Sequence, residues 1–456
     1  MFGATFNFVA LVAIFVLCSS TASKAIDLYV STTGNDTNPG TLSQPFLTIP
    51  HGITQLAPGT TLWILPGTYF YPQELAIGVA GTSTAPITIS GMPNQPRPII
   101  DGRLLPFGGA HGSLLAIIAP YVNVQRLSLR NAPWPGHCLA LDYAAYADIS
   151  ENEMTGCGVN GLWMGNGTSV AIHDNWIHHN DVINQYRNAS NWGQGLGIDN
   201  CLGCVLERNL IEENYGEGLT VHKVYQWQHG CIVQANTLLD NWSVGLYLIH
   251  ASNTLVQRNF VRLVNAGFFR SGYPATGLSI TDETQANVTS IRSTNNTWVN
   301  NIVVGASSGW YGGAFTSDAS LALGPSHAQV YYNTFSESVL TGVTIQQAPL
   351  NGEAGNIFSS NFFSMTPTAG TFTYINSSNN YVPKAGVIEF HYNAFWNSSA
   401  TKLGVIGDYV VTDNPMLLAL NGEESLDFFP QANSSLLGSG DPSTAPSDDF
   451  FGQQIG

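Results

Sequence analysis

Six residues in the middle of this 456-residue chain have side chains suited to moving protons and neutralising charge: Asp199, Glu217, His222, Lys223, Tyr247 and His250. Lys223 is the only lysine between Lys24 and Lys384, and six of the eleven histidines fall between His173 and His250. Abstraction of a proton α to a uronate carboxylate needs a base, a group that neutralises the developing charge and an acid for the leaving oxygen. Lys223, His222 or His250 would serve as base, and Tyr247 as acid. Glycoside hydrolysis instead needs two carboxyl groups flanking the scissile bond. Glu217 and Asp199, with Glu212, Glu213 and Asp240 on neighbouring repeats, are the candidates for that pair. Taken singly, an isolated lysine is ordinary surface solvation, so the argument rests on the cluster.

Aromatic residues crowd the same region. An aromatic face offers wide, rigid contact to the C–H face of a sugar ring. Trp163 and Trp227 are the stacking candidates, and Gln194 and Asn200 the polar substrate-binding ones. Trp192, Tyr215 and Trp242 recur at one position of the repeat, and the expectation for them is a structural stack on one another.

A repeat must bring these residues together. The phrases NGLWMG, GQGLGID, GEGLTVH, VGLYLI and TGLSIT place Leu162, Leu196, Leu219, Leu246 and Leu278 in equivalent positions. A second marker, Asn152, Asn175, Asn209, Asn236 and Asn259, keeps step. Self-similarity at this period indicates stacked units, each too small to bury a core alone. Alternation of period two with many Asn and Gly points to short strands and tight turns. The predicted fold is all-β, a single right-handed parallel β-helix with an N-terminal cap. Asn suits its turns through tolerance of left-handed angles, and stacked Asn side chains would form a ladder. Successive coils lie ~4.8 Å apart, so Asp199, His222, Lys223, Tyr247 and His250 should share one patch.

Composition agrees with export. An apolar run from Phe6 to Leu17, followed by Ser23 and Ala25, reads as a signal peptide over 1–25. No later run reaches the ~20 apolar residues a membrane span needs. Nine Asn-x-Ser/Thr sequons (Asn35, Asn166, Asn188, Asn241, Asn287, Asn295, Asn376, Asn397 and Asn433) point to a secreted glycoprotein. Cys138, Cys157, Cys201, Cys204 and Cys231 follow the leader. About one coil separates Cys138 from Cys157 and Cys204 from Cys231, which suits rung-to-rung bridges without fixing the pairing. Cys201-x-x-Cys204 is half a zinc site with no second pair. The net charge of −16 and the export signal argue against nucleic acid as a partner.

Residues 26–110 read as cap and first coils, with Pro45 to Leu56 as a short capping helix. Regular coils occupy 111–300, interrupted by inserts at His178–Trp192 and Val264–Thr276, where a groove would be built. Irregular coils and a C-terminal cap fill 301–433, and 434–456 reads as an exposed tail.

The order YVS-x-x-GND-x-NPGT-x-x-x-PF-x-TI, PG-x-x-x-W-I-L-PGTY, PITI-x-G and P-I-I-DG resembles the entry region of secreted β-helix proteins of the pectate-lyase-like superfamily, including the family 9 pectate lyases. That resemblance implies a lysine base and a calcium site of several Asp residues. Lys223 sits on a comparable strand, with Asp199 and the Asp282-Glu283 pair as the nearest acidic residues. The fold hosts several chemistries, so the site must decide. The sequence thus points to a secreted monomer acting on extracellular polysaccharide, by uronate lysis or epimerisation, with glycoside hydrolysis or non-catalytic glycan binding as alternatives.

Overall fold

Asparagine sets the spacing of the coils. In a computed structural model of the chain, Asn152, Asn175, Asn209, Asn236, Asn259, Asn301, Asn333, Asn361 and Asn393 lie one above another. Each Nδ2 donates to the Oδ1 of its successor at 2.9–3.1 Å. The same Oδ1 takes a backbone N–H, as from Asn175 N to Asn209 at 3.1 Å. The residues are at most 2% exposed, and the ladder satisfies polar groups that burial would otherwise leave costly. The expected reason for Asn was left-handed backbone, and here the structure differs. The left-handed residue is the one before each ladder position, such as Glu151, Asp174, Arg208, Ala235 and Arg258, with φ of 51–56°. Asn is needed for an amide that donates and accepts along the stack.

The structure describes residues 26–106, 113–185, 192–224, 230–270, 272–283, 293–315, 325–346, 355–365, 370–375, 388–396, 414–419 and 424–454. Their strands form three parallel sheets of 13, 11 and 12 strands, each coil contributing one strand to each sheet in turn. The Gly-Leu strands, among them Leu162–Gly165, Gln194–Asp199, Glu217–His222, Val244–Ile249 and Thr276–Glu283, all lie in the 11-stranded sheet. Leu162, Leu196, Leu219, Leu246 and Leu278 pair in register and point into a continuous apolar core. Because side chains alternate, that register sends Trp163, Gly197, Thr220, Tyr247 and Ser279 to the other face.

The cap helix forms over Ile49–Thr54, with Thr48 Oγ1 accepting from His51 N at its start. Gly52 makes its close approach feasible, since a Cβ there would stand 2.8 Å from Leu62. Disulfides join Cys138 to Cys157 and Cys204 to Cys231. Cys201 is a buried free thiol, and with Cys204 committed to a disulfide the half zinc site is overturned.

Past residue 301 the sequence repeat fades, yet the coils continue as far as the strand Ala394–Trp396. Aromatic stacking replaces Leu packing there, as in Phe335–Phe363–Phe395. The stretch expected as an exposed tail is docked on the coils. Asp448 pairs with Arg258 at 2.7 Å, and the Asp441 carbonyl accepts from Tyr332 OH at 2.6 Å. Asn241, one of the sequons, is spent in a second, buried ladder with Asn214. The leader residues and the sequons at Asn188, Asn287, Asn376 and Asn397 lie outside the described residues. No helix among the described residues is long and apolar enough to cross a membrane.

Candidate active site

The outward face of the 11-stranded sheet holds a cavity of about 670 Å³ over the central coils. Its lining includes six of the sequence candidates, Trp163, Gln194, Asp199, Glu217, His222 and Tyr247. Register explains the grouping. Gln194 pairs with Glu217 and Asp199 with His222 on adjacent rungs, while Thr220 pairs with Tyr247 on the next.

Glu217 sits at the base of this cavity, 5% exposed. Its Oε2 accepts from Thr220 Oγ1 at 2.6 Å and from Gln194 Nε2 at 3.3 Å, while Oε1 has no protein partner among the described residues. Burial, with repulsion from Glu283 and Asp181, pushes its carboxyl up to about 7, against the hydrogen bonds from Thr220 and Gln194. A carboxyl that keeps its proton near neutrality is suited to general-acid work.

Asp199 bridges two cations-to-be. Its Oδ2 lies 3.0 Å from Lys223 Nζ and 3.4 Å from His222 Nδ1. Burial would raise the Asp199 carboxyl, but His222 and Lys223 outweigh it and hold the group below its ordinary value. With Nδ1 turned to Asp199, His222 Nε2 is buried and has no hydrogen-bond partner among the described residues.

Three candidates occupy other roles. Asn200, Lys223 and His250 each end a strand in left-handed backbone, with φ of 54°, 53° and 47°, which carries them round the corner of the coil. None of the three lines the cavity. Asn200 Nδ2 donates to Asn166 Oδ1 at 2.8 Å, and Lys223 is held by Asp199. His250 Nε2 accepts the backbone N–H of Glu283 at 2.7 Å, so its lone pair is already used. Burial, with the nearby His222, pushes the His250 ring down to about 4, which keeps it neutral. Trp227 lies outside the described residues.

Arg270, which the sequence did not single out, and Glu283, which it offered only as part of a nearby acidic pair, also line the cavity. Arg270, on the second insert, stands over Trp192 at 4.0 Å and Trp242 at 5.3 Å. It has no ion-pair partner among the described residues, and burial pushes its guanidinium down while Glu217 acts against this. The expected stack of Trp192, Tyr215 and Trp242 is thereby corrected: Arg270 separates the tryptophans, Tyr215 stacks on Phe268, and Trp192 lines the cavity. Glu283 ends the eight-residue strand Thr276–Glu283, and its Oε1 accepts from Tyr247 OH at 2.6 Å. Burial and that neighbouring carboxylate push the Tyr247 phenol far up. The insert positions and the longer last strand were the signals available in the sequence for both residues.

Calcium does not fit these residues. Asp199 is committed to Lys223 and His222, Glu283 accepts from Tyr247, and Glu217 is protonated near neutrality. Among the described residues, no three His, Cys, Asp or Glu side chains gather as metal ligands.

Fold and site together define a β-helix protein with a titratable, aromatic-walled cavity on one sheet. Residues 28–218 match the family model described as the Pel9A-like, right handed beta helix region, and the three parallel sheets make the chain a parallel β-helix. It is 34% identical to the pectate lyase PEL9 of Emericella nidulans over 138 residues, 29% of this chain and 32% of that protein. It is 26% identical over 241 residues to the uncharacterized protein YwoF of Bacillus subtilis, covering 52% of this chain and 46% of that one. These matches span less than half the length of either relative. The crystal structure of pectate lyase Pel9A superimposes with a TM-score of 0.50 at 15% identity, covering 96% of each chain. That likeness is one of fold.

Proposed function

We propose that this protein is a secreted enzyme that cleaves a uronate-containing polysaccharide by β-elimination. The observation that carries the reading is that Glu217, a carboxyl protonated up to about pH 7, shares its cavity with Arg270, a guanidinium without an ion-pair partner among the described residues. Arg270 would pair with the uronate carboxylate and stabilise the charge that develops when C5 loses its proton. His222, paired through Nδ1 with Asp199 and lining the cavity, takes that proton. The C5–H electrons form the C4–C5 double bond, the C4–O bond breaks, and the leaving oxygen takes the Glu217 proton. Trp192 and Trp163 offer ring faces for the sugars on either side.

Hydrolysis is the second reading, favoured by the presence of Glu283 beside Glu217 in the lining. There Glu217 again donates the proton, and Glu283 acts as nucleophile or base toward water.

One assay separates the two. Purified protein is screened on acidic and neutral polysaccharides, following the ultraviolet absorbance of the new double bond and the release of reducing ends. Absorbance that disappears in Glu217→Gln and His222→Ala supports elimination. Reducing ends without absorbance support hydrolysis, and neither signal on any polymer overturns both. Activity retained in the protein stripped with a chelator is expected, because the donor set does not fit calcium.

A further inference from the structure

Three tyrosines hold turn positions where an aromatic side chain is energetically out of place. Tyr121, Tyr143 and Tyr146 all have left-handed backbone, with φ of 56°, 54° and 55°. That conformation costs a residue with a Cβ roughly 1–2 kcal/mol, and Asn tolerates it better than a bulky side chain does. At the Tyr143 corner the next two coils carry Asn166 and Asn200, and the two after them Lys223 and His250. Tyr143 N donates to Gly165 O, just before the left-handed Asn166, and Asn166 N donates to Asp199 O, just before the left-handed Asn200.

Two of the tyrosines are also displayed. Tyr143 is 69% exposed, Tyr146 52% and the adjoining Ile118 54%, while Tyr121 is half-buried and stacks on Tyr146 with centroids 4.8 Å apart and planes at 13°. No phenol among the three has a hydrogen bond to another side chain among the described residues, and the 69% exposure of Tyr143 leaves most of its ring to solvent. The patch holds no Lys or Arg, and it lies on the corner that leads, through Asn166 and Asn200, to Lys223 beside the cavity.

We propose that Tyr121, Tyr143 and Tyr146 form a second carbohydrate-binding surface, which holds a polysaccharide chain by the apolar faces of its pyranose rings away from the cavity. Phenol rings match such faces, their hydroxyls match the polar rims, and the stacked pair forms a platform that spans two coils. Continuity with the cavity corner gives the surface its use: it keeps a polymer attached while the cavity acts on it. The inference rests on the glycan-active reading of the cavity.

The test separates binding from cleavage. Glu217→Gln protein is run by affinity electrophoresis through gels containing polygalacturonate or xylan, with and without Tyr143→Ala plus Tyr146→Ala. Retardation in at least one polymer that weakens about tenfold in the double variant is the expected result. Tyr143→Phe plus Tyr146→Phe should keep most of the retardation, and all variants should melt together. Cleavage of short oligosaccharides by the double variant in an otherwise unchanged chain should equal that of the unsubstituted protein. Absence of retardation in both polymers, or retardation indifferent to the alanines, overturns the proposal. So does a double variant that changes only the sedimentation behaviour, which would make the patch a surface for self-association. Because electrophoresis needs no product, loss of the elimination reading leaves this result standing, and the reverse holds.

Discussion

His250 Nε2 accepts the backbone N–H of Glu283 at 2.7 Å, tying the corner after one Gly-Leu strand to the last residue of its neighbour. The bond fixes the main chain of the residue whose carboxylate receives the Tyr247 hydroxyl. His250 is therefore a positioning residue, one step behind the cavity.

This relationship makes the site sensitive to acid. His222, Lys223, Asp199 and Glu283 face His250, and its ring is held down at about 4 against an ordinary value of 6.5. A lowered histidine contributes stability above its ordinary pKa, and that contribution is lost as pH falls from about 6.5 through 4. His250→Ala should lose this acid-dependent component of the melting temperature while keeping the rest of the profile. An unchanged pH profile in the variant would show that the ring does not bear on Glu283.

Glu217 carries the opposite sign. Its carboxyl is raised from 4.5 to about 7, so the folded chain holds a proton that the unfolded chain has lost. Stability falls as pH rises through that window, and the penalty is complete above it. Glu217→Gln should be ~3 kcal/mol more stable than the unsubstituted protein above the window and equal to it below, while losing activity. Denaturant titrations on both sides of the window check the difference.

Arg270→Ala should raise KM for an acidic polymer about tenfold, the worth of one charge-assisted contact, with a smaller change in kcat. Added salt should affect the unsubstituted protein more than the variant. Equal KM in the two proteins would remove Arg270 from uronate binding.

Asn209→Ala tests the ladder. It strips the acceptor from both Asn175 N and Asn175 Nδ2 and the donor from Ile172 O and Asn236 Oδ1. Each orphaned buried group costs about 1–3 kcal/mol, so the urea midpoint should fall by far more than for an exposed Asn. A substitution at exposed Asn35 is the control.

The repeat made much of this molecule legible without coordinates. Leu162 through Leu278 fall in register as their spacing requires, because a strand alternates faces and a coil cannot shift by one residue without exposing its leucines. The same register carries Asp199 beside His222, and Gln194 beside Glu217. The Asn column was readable as well, although its purpose is the amide ladder.

Tertiary structure alone decided what those columns do. Arg270 enters from an insert with no repeat to predict its path, and Glu283 reaches the cavity only because its strand runs beyond its neighbours. Glu217 holds its proton up to about 7 because burial desolvates it, and burial is a property of distant segments that its own sequence context does not record. Lys223 and His250, conspicuous by composition, turn at left-handed corners and become supports. A repeating sequence thus specifies which side chains share a face, through local alternation and backbone spacing. Which of them meets solvent, a partner or a proton depends on the non-repeating segments folded over that face.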